Sequence, residues 1–199
     1  MRAVSFSEST ILILALCSTI VVHGCGGGVE PADEDAPSSA TTLESTLPAV
    51  VPIRNARVPL PGVLTGGQPT EEQLLQAAQA GYKTIVTLRT PGELSEWDEA
   101  SVVRSAGMRF EEIPVEGAAG LTSANAERLA SLLAEEGAKP VMIHCASGNR
   151  VGALLALVAH RVEGASIDEA MQLGREAGVT RLERATRELL EGSPAADLP

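Results

Sequence analysis

Cys145 is the residue of this chain with the means to do covalent chemistry. It follows a short apolar run, Val141-Met142-Ile143-His144, and opens a small loop, Ala146-Ser147-Gly148-Asn149, that closes on Arg150. The segment from Gly152 to Val158 then reads as a buried helix, so the pattern is strand, loop and helix N-terminus. Loop N–H groups and the free N–H groups of a first helical turn converge on one point and form an anion cradle. The same positive field favours the thiolate of Cys145, which would be nucleophilic near neutral pH. Arg150 offers a rigid fork of donors matched to a tetrahedral oxyanion.

Positioning that loop requires a sheet and helices, and the sequence supplies both. Thr70 and Gln73 form a capping box for a first helix that carries Leu74, Leu75, Ala77 and Ala78 and stops at Gly81. Thr84 to Leu88 is a continuous β-rich run, as expected of a buried parallel strand. A second helix is expected over Leu94 to Ala106, with Trp97, Ala100 and Val103 on one side. A strand is expected within Met108 to Val115. Thr122 opens a third helix that ends at Gly137, Pro140 to His144 is the next strand, and Gly164 ends the helix that starts near Asn149. Ser166 and Glu169 cap another helix, and Val179 to Leu190 holds the last. Strands separated by helices predict an α/β three-layer sandwich, with a central, mostly parallel sheet of about four strands flanked by helices. The cysteine loop then lies at a strand's carboxyl end, where such sheets place ligands.

The chain has 199 residues with 15 Lys and Arg against 26 Asp and Glu, a net charge of −11. That balance argues against nucleic acid as a partner. The apolar run Ile11 to Val22 has the length of an export-signal core and is too short for a stable membrane-spanning helix. It ends Val22-His23-Gly24-Cys25, which resembles the lipobox of bacterial lipoproteins and implies lipidation of Cys25. Gly26 resembles an outer-membrane sorting pattern. The expected organisation is a signal peptide over 1–24, an acidic linker over 25–54, a folded domain over 55–192 and a flexible tail over 193–199. The expected location is the cell envelope, lipid-anchored, periplasm-facing and at the outer membrane. Cys17 leaves with the signal and Cys25 is consumed by lipid, so Cys145 is the one free thiol of that product and no internal disulfide forms. No residues have metal-ligand spacing, and there is neither a Walker loop nor a dinucleotide fingerprint, so no metal or cofactor is expected.

The residues His144-Cys145, Gly148 and Arg150 resemble the signature of the cysteine-dependent phosphatases. The folded unit resembles their compact, dual-specificity-like bacterial branch, which occurs alone or fused to β-lactamase-like hydrolases. Gly67-Gln68-Pro69, Thr87-Leu88-Arg89 and Ile113-Pro114-Val115 fit that branch. The resemblance implies a phosphatase-like fold and hydrolysis of phosphate monoesters, phosphotyrosine among them, through a cysteinyl-phosphate on Cys145. Arg150 and the loop N–H groups of Ala146, Ser147, Gly148 and Asn149 would hold the phosphoryl oxygens. His144 is expected to orient the loop, the alternative being a buried histidine satisfied by a carbonyl. The family takes its general acid from an aspartate after the preceding strand; here that loop offers only Glu116, the alternative being a solvated loop glutamate. Arg89 is expected either to bind a second anionic group at the same site or to pair with Glu93 on the surface.

Two departures from the common pattern matter. Four residues, not five, separate the cysteine from the arginine, a spacing that also resembles the persulfide loop of rhodanese sulfurtransferases. Val151 stands where a Ser or Thr usually assists departure of the cysteine, which predicts slow turnover. Three functions follow: a phosphatase, a sulfurtransferase, and a catalytically weak phosphate-binding or interaction module. The expected partner is a phosphorylated small molecule or protein meeting a monomer, with the membrane engaged only by the lipid. The physiological substrate is not legible in the residues.

Overall fold

The computed structural model describes residues 48–93 and 97–192, which fall within the unit Glu44–Pro199. The expected signal, the lipobox with Cys25, the expected tail and residues 94–96 of the expected second helix lie outside the described residues. The elements, in order, are β1 (Arg57–Leu60), β2 (Val63–Gly66), α1 (Glu71–Gln79), β3 (Thr84–Thr87), a 3-10 turn (Pro91–Glu93), α2 (Glu99–Ser105) and β4 (Arg109–Glu112). Then come α3 (Ser123–Ala134), β5 (Val141–His144), α4 (Asn149–Leu157), which runs on into a π-helical turn (Val158–Val162), α5 (Ile167–Glu176) and α6 (Glu183–Glu191).

The sheet has the order β1-β2-β5-β3-β4 and is parallel except at β1. The expected α/β sandwich is therefore present, with five strands rather than about four. The additional strand comes from the extended entry after Arg57, which folds back as a hairpin and pairs β2 with β5. Strand β5 is buried along its whole length, which is why its sequence is a continuous apolar run rather than an alternating one.

Helices cover both faces. Leu129, Leu154, Met171 and Leu190 of α3 to α6 share one core with Val141, Ile143 and Cys145. On the opposite face Leu74, Ala77 and Val103 of α1 and α2 pack against Ile85 and Met142. Successive side chains of a strand alternate between faces. His144 therefore follows Met142 towards α1 and α2, while Cys145 follows Ile143 towards α4. This parity decides which residues meet at the site.

Local capping fixes the helix starts. Thr70 and Ser166 form complete capping boxes with Gln73 and Glu169, and the Thr122 hydroxyl accepts from Asn125 N. The second helix differs from expectation: it begins at Glu99, because the Asp98 carboxylate accepts from Ser101 N at 3.0 Å and ends the non-helical lead-in there. An aspartate at that position satisfies an otherwise orphaned first-turn donor. The last helix begins at Glu183, four residues later than Val179, leaving Val179 to Leu182 as a connecting loop.

Candidate active site

In register, His144 lies between Gly66 of β2 and Thr87 of β3, so three parallel strands end at one level. The loop Cys145–Arg150 leaves from that level. Its outer edge is tied down by a bridge between Gly67 and Ser147, by Asn55 Nδ2 donating to the Ser147 carbonyl at 3.0 Å and by Cys145 N donating to Gly66 O. Gly148 has φ +90 and is the N-cap of α4, with no side-chain cap. That left-handed turn is open to glycine at no steric cost. It brings Gly148 N to within 3.2 Å of Cys145 Sγ, to which it donates. The first-turn N–H groups of α4, with no side chain capping them, face the same side.

Cys145 is 1% exposed and lies in the wall of an open cavity of about 310 Å³. Ala146, Ser147, Asn149 and Arg150 line it with Glu93, Gly117, Arg181 and Leu182. Arg150 is the tie between loop and scaffold. Its Nη1 donates to Glu93 Oε1 at 2.6 Å, to Leu88 O at 3.3 Å and to Val115 O at 3.0 Å, and its Nη2 donates to Glu93 Oε2 at 2.6 Å. Of the five guanidinium hydrogens, Nε–H and one Nη2 hydrogen lie outside these bonds, and the guanidinium also interacts with the Cys145 side chain. The hydrogen bonds from Arg150 hold the Glu93 carboxyl down to about 2 against the opposing effect of burial. The Arg150 pKa is raised, by Glu93 first, against a burial cost, and then by the neighbouring Cys145.

His144 is on the far side of the sheet from that cavity, as the strand parity requires. It is fully buried, and its Nε2 lies 2.7 Å from Glu99 Oε1. Burial of Glu99 would raise its pKa, but contact with His144 and the hydrogen bond from Gln68 outweigh this and the net shift is downward. Gln68 Nε2 donates to Glu99 Oε2 at 3.0 Å, and Gln68 Oε1 accepts from Arg89 Nη1 at 2.7 Å. A polar chain thus runs Arg89, Gln68, Glu99, His144 on the face of the sheet opposite Cys145. The expected alternative, a His144 satisfied by a carbonyl, is not what is found: its partner is a carboxylate.

Arg89 does not reach the cysteine cavity. It shares the α2 face with Thr87 and lines a separate cavity of about 330 Å³ with Trp97, Glu99 and Phe110. Its expected partner, Glu93, is held by Arg150 instead. Asn149 has its side chain engaged away from the cradle: Oδ1 accepts from Thr180 N at 2.8 Å, Thr180 Oγ1 at 3.2 Å and Leu182 N at 3.2 Å. Glu116 is exposed, beside the cavity-lining Gly117. Its loop is fixed by Asn125, whose Nδ2 donates to Pro114 O and Gly120 O. His160 and Arg161 are structural: His160 Nδ1 is 2.7 Å from Ala165 O, and Arg161 donates to Ser123 Oγ and Leu189 O.

Sequence reasoning missed Glu93 and Glu99 as partners of Arg150 and His144, gave Gln68 no contact, and overlooked Arg181. The one available signal was the Gly67-Gln68-Pro69 entry, which carries Gln68 to the sheet's carboxyl edge.

A family model described as DSP-PTPase phosphatase fused to NAD+ kinase matches residues 61–190. Beta-lactamase hydrolase-like proteins of two Xylella fastidiosa strains are 33% identical over 96 residues, covering 46% of this chain and 22% of theirs. The chain thus spans about a fifth of the length of these curated relatives. Among solved structures, protein nma1982 of Neisseria meningitidis z2491 is 26% identical with a TM-score of 0.56, covering 68% of this chain and 95% of that one. The structure of P. aeruginosa TpbA in complex with phosphotyrosine is 18% identical with a TM-score of 0.53, over 69% and 82% of the two chains; that likeness is one of fold.

Proposed function

This chain belongs to the family of DSP-type protein tyrosine phosphatases fused to NAD+ kinase, and on that premise we propose that it hydrolyses phosphate monoesters through Cys145. The carrying observation is that Cys145 Sγ already accepts Gly148 N–H at 3.2 Å in a cavity whose rim carries the Arg150 fork. The thiolate attacks phosphorus in line, the S–P bond forms, and the ester P–O bond breaks with its electron pair leaving on oxygen. Loop amides and the Arg150 donors not held by Glu93, Leu88 and Val115 take up charge on the equatorial oxygens. Glu116 supplies the proton to the leaving oxygen. Water then attacks phosphorus and releases phosphate and the thiolate.

His144 acts as a positioning residue, anchored by Glu99 so that the strand end and its cysteine stay in register. The matched segment of the Xylella proteins supports placing the chain in the bacterial branch related to β-lactamase hydrolase-like proteins. Val22-His23-Gly24-Cys25 supports an envelope protein lipidated at Cys25, an assignment that loss of palmitate labelling in Cys25→Ala would test.

The deciding experiment is mass analysis of Cys145 after rapid quench from 4-nitrophenyl phosphate and, separately, from thiosulfate. An added phosphoryl mass in the first arm, with turnover abolished by Cys145→Ser, is expected. An added sulfur in the second arm without phosphorylation in the first would assign sulfur transfer instead.

A further inference from the structure

Three formally charged side chains line the cysteine cavity, Glu93, Arg150 and Arg181, and they leave one positive charge over. Glu93 and Arg150 neutralise one another through the two 2.6 Å bonds of a bidentate pair. Arg181 remains. It lines the same cavity, is exposed, and has no hydrogen-bonding or ionic partner among the described residues. In a chain of net charge −11, an uncompensated guanidinium at this rim adds an attraction for a further anionic group beside the loop.

Its position is fixed by the fold rather than by its own contacts. Asn149, the first residue of α4, accepts from Thr180 N, Thr180 Oγ1 and Leu182 N, on either side of Arg181. The connecting loop lies directly on α4: a Cβ added to Gly152 would collide with Val179 N and Gly174 O. Gly178, at φ +106, faces Gly148, the N-cap of that helix: a Cβ added there would lie 3.5 Å from the Gly148 carbonyl oxygen. The backbone that carries Arg181 is therefore held against the loop that carries Cys145, while the side chain itself is free to adapt.

We propose that Arg181 is a specificity-determining residue that selects phosphate monoesters carrying a second anionic group, carboxylate or phosphate, beside the scissile phosphoryl. The proposal rests on reading the Cys145 loop as the phosphate site. Arg181 takes over the role that the sequence suggested for Arg89, from the opposite face of the sheet. It touches the substrate's second anion and takes no part in bond breaking.

The test compares phenyl phosphate with 3- and 4-carboxyphenyl phosphate on the full chain, by kcat/KM, and by calorimetric binding to Cys145→Ser. At least one carboxylated ester is expected to be favoured about 5-fold, the value of an exposed ion pair of about 1 kcal/mol. The gain should lie in KM and in binding, shrink with added salt, vanish in Arg181→Gln and persist in Arg181→Lys. Phenyl phosphate, which lacks the second anion, should lose less in Arg181→Gln than the favoured carboxylated ester does. Turnover of phenyl phosphate with no carboxylate preference, or with a preference that Arg181→Gln retains, overturns the role of Arg181 and leaves the phosphatase reading standing. Absence of both binding and turnover for every ester overturns that reading and this one with it.

Discussion

Glu93 grips Arg150 with both carboxylate oxygens, Oε1 on Nη1 and Oε2 on Nη2, each at 2.6 Å. The two residues are 57 positions apart. The bond joins the turn after β3 to the first turn of α4, and it fixes the plane in which the guanidinium presents its remaining donors.

Glu93→Gln should therefore lower kcat/KM about 10-fold through loss of orientation, since a misplaced donor stabilises the transition state poorly. At pH 6 it should cost about 1 kcal/mol of stability, a charged hydrogen-bond value reduced because a third of Glu93 remains in water. The folded-state carboxyl sits at about 2, against an ordinary 4.5. Its contribution is thus complete above about 4.5 and lost as the pH falls through about 2. Urea denaturation of both proteins at stepped pH should show the gap between them closing on acidification, not on alkalinisation.

Glu99 faces the buried ring of His144, so its removal leaves a buried polar group alone. Glu99→Ala should destabilise by about 3 kcal/mol and Glu99→Gln by about 1 kcal/mol. Equal losses for the two variants in denaturation would show that packing, not the polar contact, is what Glu99 supplies.

Gly152→Ala would drive a Cβ into the backbone of Val179 and Gly174. Backbone cannot yield as a flexible side chain does, so about 2–3 kcal/mol of overpacking strain is expected. Calorimetry should record a Tm lower by about 5–10 °C.

Val151 is wholly buried directly after Arg150 and has no donor for a departing cysteine sulfur. Rapid mixing should show a burst of leaving group followed by slower steady turnover. Val151→Thr, close in shape but bearing a hydroxyl, should raise kcat severalfold at a stability cost of about 1–2 kcal/mol. Identical burst and steady rates in the wild type would mean that breakdown of the intermediate is not limiting.

The proton-donor role proposed for Glu116 predicts that it matters in proportion to how badly the leaving oxygen needs a proton. Glu116→Ala is expected to lower turnover of an alkyl phosphate about 100-fold and that of 4-nitrophenyl phosphate less than about 3-fold. A uniform effect across both esters would remove Glu116 from that role.

Much of this was legible along the chain. The capping boxes at Thr70 and Ser166 and the buried runs of β3 and β5 are local patterns, carried by residues three or four apart or by an unbroken apolar stretch. So is the loop Cys145–Arg150 at a strand's end. The start of α2 at Glu99 was equally local, in the cap of Asp98, but the apolar spacing of Trp97 and Val103 outweighed it.

What these patterns do not contain is the pairing between distant segments. The sequence by itself determined that Cys145 ends a buried strand and begins a loop that closes on Arg150, because strand, turn and helix signals are short-range. Only the tertiary structure decided that Arg150 and not Arg89 holds Glu93, that Glu99 reaches His144, and that Arg181 stands at the cavity. Strand parity sends His144 and Arg89 to one face and Cys145 to the other, and the packing of the Val179 loop on Gly152 brings a cation from near the chain's end. Such contacts depend on strand order and helix packing, which are properties of the assembled sheet and of no single stretch.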